Sequence, residues 1–165
     1  LEKTLSNVMD FTRPTKYIKD FNSINEVVED TLDLLKNMLL EKKIEVDVSL
    51  NSELPLIKSD FNQLKQVMLN LLQNAMDSIT DEGKIIIKTE IEDDFIILSI
   101  ADNGTGIEHN DPNVIFEPFY TTKVTGVGIG LAIVKKIIKD HNGDIEVKKG
   151  AVAGVKFIIK LPLPA

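Results

Sequence analysis

Asn70, Asn74 and Asp77 carry oxygen-bearing side chains at spacings of i, i+4 and i+7. On a helix that spacing gathers all three on one face. Carboxamide and carboxylate oxygens are ligands that hard cations such as Mg²⁺ accept. Asparagine is a poor helix former, so two of them inside one helix need a reason. The same stripe would also serve as the solvated side of an ordinary amphipathic helix.

Three further segments share this character. Asp102-Asn103-Gly104-Thr105-Gly106-Ile107 directly follows an alternating, strand-like stretch. Glycines there let the backbone turn tightly and let a ligand come close. An aspartate at a strand end can accept a hydrogen bond from an amino group, though the segment could equally be a plain Asp-Asn-Gly turn. Gly126-Val127-Gly128-Ile129-Gly130-Leu131 opens a predicted helix. Exposed N–H groups and the helix dipole would make it an anion site. It is neither the phosphate-loop signature nor the dinucleotide fingerprint, and a flexible hinge would have the same composition. Between these lies Phe116-Glu117-Pro118-Phe119-Tyr120-Thr121-Thr122-Lys123. Its aromatics could anchor a lid whose lysine meets phosphate, with Phe116 and Phe119 pinning the loop to the core. Spacing alone points to an anionic, phosphate-bearing ligand and a divalent cation. His109 and His141 carry no catalytic reading. His141 sits at a predicted helix end, where it can pair with carbonyl groups.

The elements that must position these residues follow from periodicity. Leu1, Leu5, Val8 and Phe11 have helical spacing, and Pro14 ends the pattern. A connector over 12–21 follows. Asn22 or Ser23 can cap a helix to about residue 42, with Val27, Val28, Leu32, Leu34, Leu35, Met38 and Leu39 on its apolar face. Alternation predicts a strand over 44–50, and 51–55 is a turn. Ser59 or Asp60 can cap a second helix to residue 79, burying Phe61, Leu64, Val67, Met68, Leu71, Leu72, Ala75 and Ile79. Strands over 84–91 and 95–101 form a pair. An irregular stretch over 102–126 is too long for a plain connector. A helix over 127–140 and strands over 144–149 and 154–161 complete the chain. The pattern implies a mixed sheet with helices on one face.

Composition narrows the functions. The chain has 165 residues, 43% of them hydrophobic and 27% charged, a globular balance. At that length roughly 70% of the unfolded chain's surface can be buried. With no cysteine and two histidines, thiolate and His-based zinc sites are excluded or starved of ligands. The formal net charge is −7, which disfavours nucleic acid as a partner. An anionic ligand must then be held by donors gathered locally. No apolar run is long enough to span a bilayer. The chain reads as cytoplasmic, without direct membrane contact. Its start at Leu1 suggests an internal fragment of something larger.

Taken in order, the four segments resemble the boxes of histidine-kinase ATP-binding domains, a superfamily shared with DNA gyrase and the mismatch-repair ATPases. Residues 70–77 resemble the N box, 102–106 the first G box, 116–119 the F box and 126–130 the second G box. Each is weak alone; all four over about sixty residues are specific. Residues 1–14 resemble the end of a dimerisation helix and its linker, and 15–165 the catalytic domain. The resemblance implies an α/β (α+β) two-layer sandwich, a mixed, mostly antiparallel sheet with three helices packed on one face, and ATP held beneath a mobile lid at 111–125. By position, Asn74 would ligate Mg²⁺ with Asn70 beside it, and Asp102 would bind the adenine amino group. Gly104 and Gly106 would let the backbone pass the base, with Ile107 and Phe116 nearby. Lys123 and the backbone around Gly126, Gly128 and Gly130 would hold the phosphates, with Thr121, Thr122, Val127, Ile129 and Leu131 also in the nucleotide-binding set. Asp77, which stands where many members carry a basic residue, would also belong to the nucleotide-binding set. Asn70, Asn74 and Lys123 would be the catalytic set.

One residue separates the subclasses. The hydrolysing members carry a glutamate general base where this chain has Asn70. An amide cannot take a proton from water. A neutral imidazole is already nucleophilic, so Asn70 favours phosphoryl transfer to histidine through positioning and charge neutralisation. No histidine here lies in a phosphoacceptor motif. The implied partners are therefore a separate dimerisation and histidine-phosphotransfer domain and a response-regulator receiver domain, and the isolated chain is expected to be a monomer. A superfamily ATPase driving dimerisation through lid closure, or a degenerate interaction module, would be the other readings.

Overall fold

The computed structural model describes residues 19–123, 126–150 and 153–164. The predicted helix over 1–11 and most of its connector lie outside them. Two predicted caps are made as side-chain hydrogen bonds. Ser23 accepts from the Glu26 N–H at the start of α1 (Ile24–Glu41). Asp60 accepts from the Gln63 N–H at the start of α2 (Phe61–Ser78). Each satisfies a donor that the first helical turn leaves without a partner.

Five strands form the main sheet: β2 (Glu45–Leu50), β4 (Lys84–Glu92), β5 (Phe95–Asp102), β6 (Asp144–Lys149) and β7 (Val155–Pro162), in the order β2-β4-β5-β7-β6. The β2–β4 pair is parallel because α2 lies in the crossover between them; the other pairs are antiparallel. Alternation sends Ile85 and Ile87, Ile96, Leu98 and Ile100, Val147, and Phe157 and Ile159 to one buried face. Register lines up Ile87, Ile100, Phe157 and Val147 as one row across four strands. On that face pack α1, α2 and α3 (Gly130–Asp140), with α2 in contact with both others. Its Leu71, Leu72 and Met76 are wholly buried. Burying each such side chain contributes about 1.5–3 kcal/mol. This is the predicted two-layer sandwich.

Parity on β5 has one consequence for the site. The face that receives Ile96, Leu98 and Ile100 also receives Asp102, two residues on, beneath the helices.

Several expectations are corrected. Leu34 and Met38, placed on the apolar face of α1, are 60% and 38% exposed, because Leu35 and Leu39 take the core positions one residue on. Phe61 and Ile79 are only partly buried. The last helix begins at Gly130 rather than residue 127. Gly128 has φ +73°, a left-handed conformation that no α-helix continues through. Within the irregular stretch, Pro112–Phe116 forms a 3-10 helix capped by Asp111, whose carboxylate accepts from the Asn113 N–H. Two strands of three residues were not foreseen: β1 (Asp20–Asn22) pairs antiparallel with β3 (Ile57–Ser59). Three residues are too few for alternation to register.

His141 closes α3. Its Nδ1 lies 2.8 Å from the Ile137 carbonyl oxygen, and its Nε2 accepts from the Asp60 N–H at 2.9 Å. The ring thereby joins the end of α3 to the cap of α2, and needs a bare Nε2 to do so. Burial pushes its pKa down, with Lys19 adding in the same direction; the Ile137 carbonyl, Asp60 and Asp140 oppose the shift. With a folded pKa below the unfolded value, the stabilising contribution is complete above that value. It is lost as pH falls from the unfolded toward the folded pKa. Urea midpoints should therefore fall as pH drops below about 6.5, the unfolded value, and His141→Gln should flatten that slope. A parent chain with no slope in that window would contradict this.

Candidate functional site

A cavity of about 470 Å³ opens between α2, the end of β5, the 103–123 loop and the start of α3. Asp102 closes one end. It is buried, and accepts from the Gly104 N–H at 2.9 Å. Ser78 Oγ, which donates to the Ala75 carbonyl, lies 3.5 Å from Asp102 Oδ1. Burial raises the Asp102 pKa; the N–H groups of Gly104 and Val155 and the Ser78 hydroxyl pull it back. A ligand N–H arriving from the cavity would favour the ionised form further.

The other end is the start of α3. Its N-cap is Ile129, and no side chain caps it. Helix-start N–H groups with this geometry attract anions. Asn70 Nδ2 donates to the Gly130 carbonyl at 3.3 Å, fixing this end against α2. Asn70 thus meets Gly130, and Ser78 meets Asp102. Eight residues of helix, about 12 Å at 1.5 Å per residue, separate these two points.

The wall facing α2 is the loop. Phe119 N donates to the Gly128 carbonyl at 2.8 Å. A Cβ on Gly128 would stand 2.6 Å from both the Phe119 carbonyl carbon and the Tyr120 oxygen, so a side chain there would displace the loop. Lys123 reaches across: its Nζ is 3.0 Å from Asn74 Oδ1 and 2.8 Å from Asp77 Oδ2.

Most predicted site residues come together here. Asn74, Asp77, Asp102, Gly106, Ile107, Thr121, Thr122, Lys123, Gly126, Val127, Gly128, Ile129, Gly130 and Leu131 line the cavity. Asn70, Gly104 and Phe116 do not. Asn70 braces α3 as described. Gly104 lies against the end of α2, where a Cβ would be 2.1 Å from Ser78 Oγ. Phe116 is buried, edge-to-face with Phe157, with the Lys135 ammonium over its ring. Phe119, expected to pin the loop with it, is instead 69% exposed. Gln73, Ser78, Ile115, Tyr120, Val155 and Phe157 also line the cavity and were missed. Gln73 and Ser78 adjoin predicted residues on α2, a signal that was available. The two β7 residues arrive only by sheet pairing. His109 bonds within its own loop, to Asp111.

Among the described residues no three His, Cys, Asp or Glu side chains cluster to hold a metal. The donors at hand are oxygens of Asn74 and Asp77. That suits Mg²⁺, which uses few protein ligands and completes its shell with water and phosphate oxygens.

Residues 59–165 match the family described as "Histidine kinase-, DNA gyrase B-, and HSP90-like ATPase". The signal transduction histidine-protein kinase AtoS of Escherichia coli (strain K12) is 38% identical over 99% of this chain, which spans 27% of that protein's length. The nucleotide-free catalytic domain of histidine kinase ThkA superposes with a TM-score of 0.80 at 32% identity, covering 87% of this chain and 95% of that one. Histidine kinase ThkA in complex with response regulator protein TrrA gives a TM-score of 0.82 at 27% identity, covering 99% of this chain and 48% of that one.

Proposed function

Because this chain belongs to the family of histidine kinase-, gyrase B- and HSP90-like ATPases, we propose that it binds Mg²⁺-ATP and donates the γ-phosphoryl group to a histidine on a separate dimerisation domain. The observation that carries this reading is the pairing of two ends in one cavity. A buried carboxylate, Asp102, suits an amino-bearing base, and an uncapped helix start suits phosphate.

Asp102 accepts from the adenine 6-amino group; a 6-oxo purine would present oxygen to oxygen and be refused. The backbone at Gly126 and Gly128 and the first N–H groups of α3 hold the phosphate chain, and Lys123 neutralises it. Asn74 supplies an oxygen to Mg²⁺, which when bound offsets charge on the phosphates during transfer. Asn70 braces α3 and cannot act as a base, so water is not activated at that position. Positioning and charge neutralisation remain, which suffice for an imidazole acceptor. The whole protein would pass the phosphoryl group on to a response-regulator receiver domain, the kind of partner seen with ThkA.

Calorimetric titration with ATP, with and without Mg²⁺, tests this. Saturable one-site binding is expected, tighter with Mg²⁺ and without steady heat from hydrolysis, and ATP should outcompete GTP. A separately supplied dimerisation domain should then take label from γ-labelled ATP. Continuous turnover heat would point to an ATPase, and absence of binding would overturn the reading.

A further inference from the structure

Lys123 Nζ stands between Asn74 Oδ1 at 3.0 Å and Asp77 Oδ2 at 2.8 Å. Two oxygens three residues apart on α2 therefore converge on one point, and a cation occupies it. Residues at i and i+3 share a helix face, so α2 itself presents both side chains on this side of the cavity. Both side chains line the cavity beside the phosphate-binding end.

On the basis of the proposed ATP-binding function, we infer that Asp77 is a ligand of the divalent cation, acting with Asn74 directly or through a coordinated water. In the nucleotide-free protein Lys123 is the place-holder. An ammonium is a monovalent cation with hydrogen-bonding N–H groups, and Mg²⁺ is a smaller, doubly charged ion that takes oxygens only. When the cation arrives with the triphosphate, the oxygens of Asn74 and Asp77 turn to it. Lys123 is released to the phosphates. Asp77 then adds the formal negative charge that Asn74 lacks, which strengthens the hold on a divalent ion at a site where the described residues offer no carboxylate cluster.

The competing role for Asp77 is a latch that only keeps Lys123 from phosphate. The two roles differ in the coupling between Mg²⁺ and ATP, taken as the ratio of ATP affinities with and without the metal. A latch costs the same in both conditions, so Asp77→Asn would tighten both equally and leave the ratio unchanged. A cation ligand predicts that Asp77→Asn lowers the ratio by about tenfold or more. Asparagine keeps the shape and one oxygen, and circular dichroism checks the fold. In a second variant, Lys123→Met, removal of the place-holder should let Mn²⁺ alone, followed by electron paramagnetic resonance, bind more tightly than to the parent chain. Nucleotide binding with an unchanged ratio in Asp77→Asn, or unchanged Mn²⁺ affinity in Lys123→Met, overturns the assignment alone. Failure of the parent chain to bind ATP overturns the functional reading beneath it.

Discussion

Asp102→Ala is expected to weaken ATP binding by about 10- to 100-fold, the loss of a hydrogen bond to a charged acceptor worth about 1.5–3 kcal/mol. Strand parity sets the position of this carboxylate. Asp102 follows Ile96, Leu98 and Ile100 onto the helix-facing side of β5, so its carboxylate closes a largely buried cavity end instead of meeting solvent. Water competes poorly there, and a ligand amino group gains the full bond. Discrimination should change with affinity. The parent chain is expected to favour ATP over GTP, and the alanine variant should bind both weakly and alike. Alanine also removes the acceptor of the Gly104 N–H, which could disturb the loop. Asp102→Asn controls for that: it retains an oxygen for Gly104, but its amide cannot offer a charged acceptor to the base. Parallel titrations of ATP and GTP read the outcome. Undiminished ATP affinity and preference in the alanine variant would remove Asp102 from the site.

The second large effect concerns the loop. Phe116→Ala should cost about 3–5 kcal/mol of stability, the range for truncating a buried phenylalanine. Phe116 is 4% exposed, with its ring 6.2 Å from that of Phe157 and the Lys135 ammonium 5.5 Å from its centroid. It is the last residue of the 3-10 helix and precedes the stretch that carries Lys123. Losing it should release the loop before the sheet. Hydrogen exchange should accelerate first over 111–123, while β4 and β5 stay protected. Phe116→Leu, which keeps most of the volume, should cost less than about 1.5 kcal/mol. Phe119→Ala is a useful contrast, because that side chain is exposed and should leave the urea midpoint nearly unchanged. A small cost for Phe116→Ala, or exchange that rises everywhere together, would show that the loop is not held at this residue.

The difference between Phe116 and Phe119 shows where sequence reading stops. Both are aromatic, three residues apart, in one irregular segment. Which one meets the core depends on the left-handed backbone at Phe119, φ +68°, and on its bond to Gly128. Neither leaves a periodic trace. Leu34 and Leu35 make the same point on α1: adjacent leucines differ in burial through a rotation of about 100° per residue, set by what the helix packs on.

Local physics on its own determined a good deal. Ser23 and Asp60 cap because their side chains reach N–H groups three residues on, a matter of bond lengths alone. Strand alternation put Asp102 in line with the core isoleucines. The i, i+4, i+7 spacing put Asn74 and Asp77 on one face of α2. Those are short-range consequences of helix and strand geometry. Tertiary structure alone decided the rest, across separations that no local rule spans. Lys123 meets Asp77 over 46 residues, Asn70 meets Gly130 over 60, and His141 meets Asp60 over 81. These contacts exist because α2 lies between α1 and α3 on one sheet face, and that packing is settled by burial of the whole core rather than by any one segment.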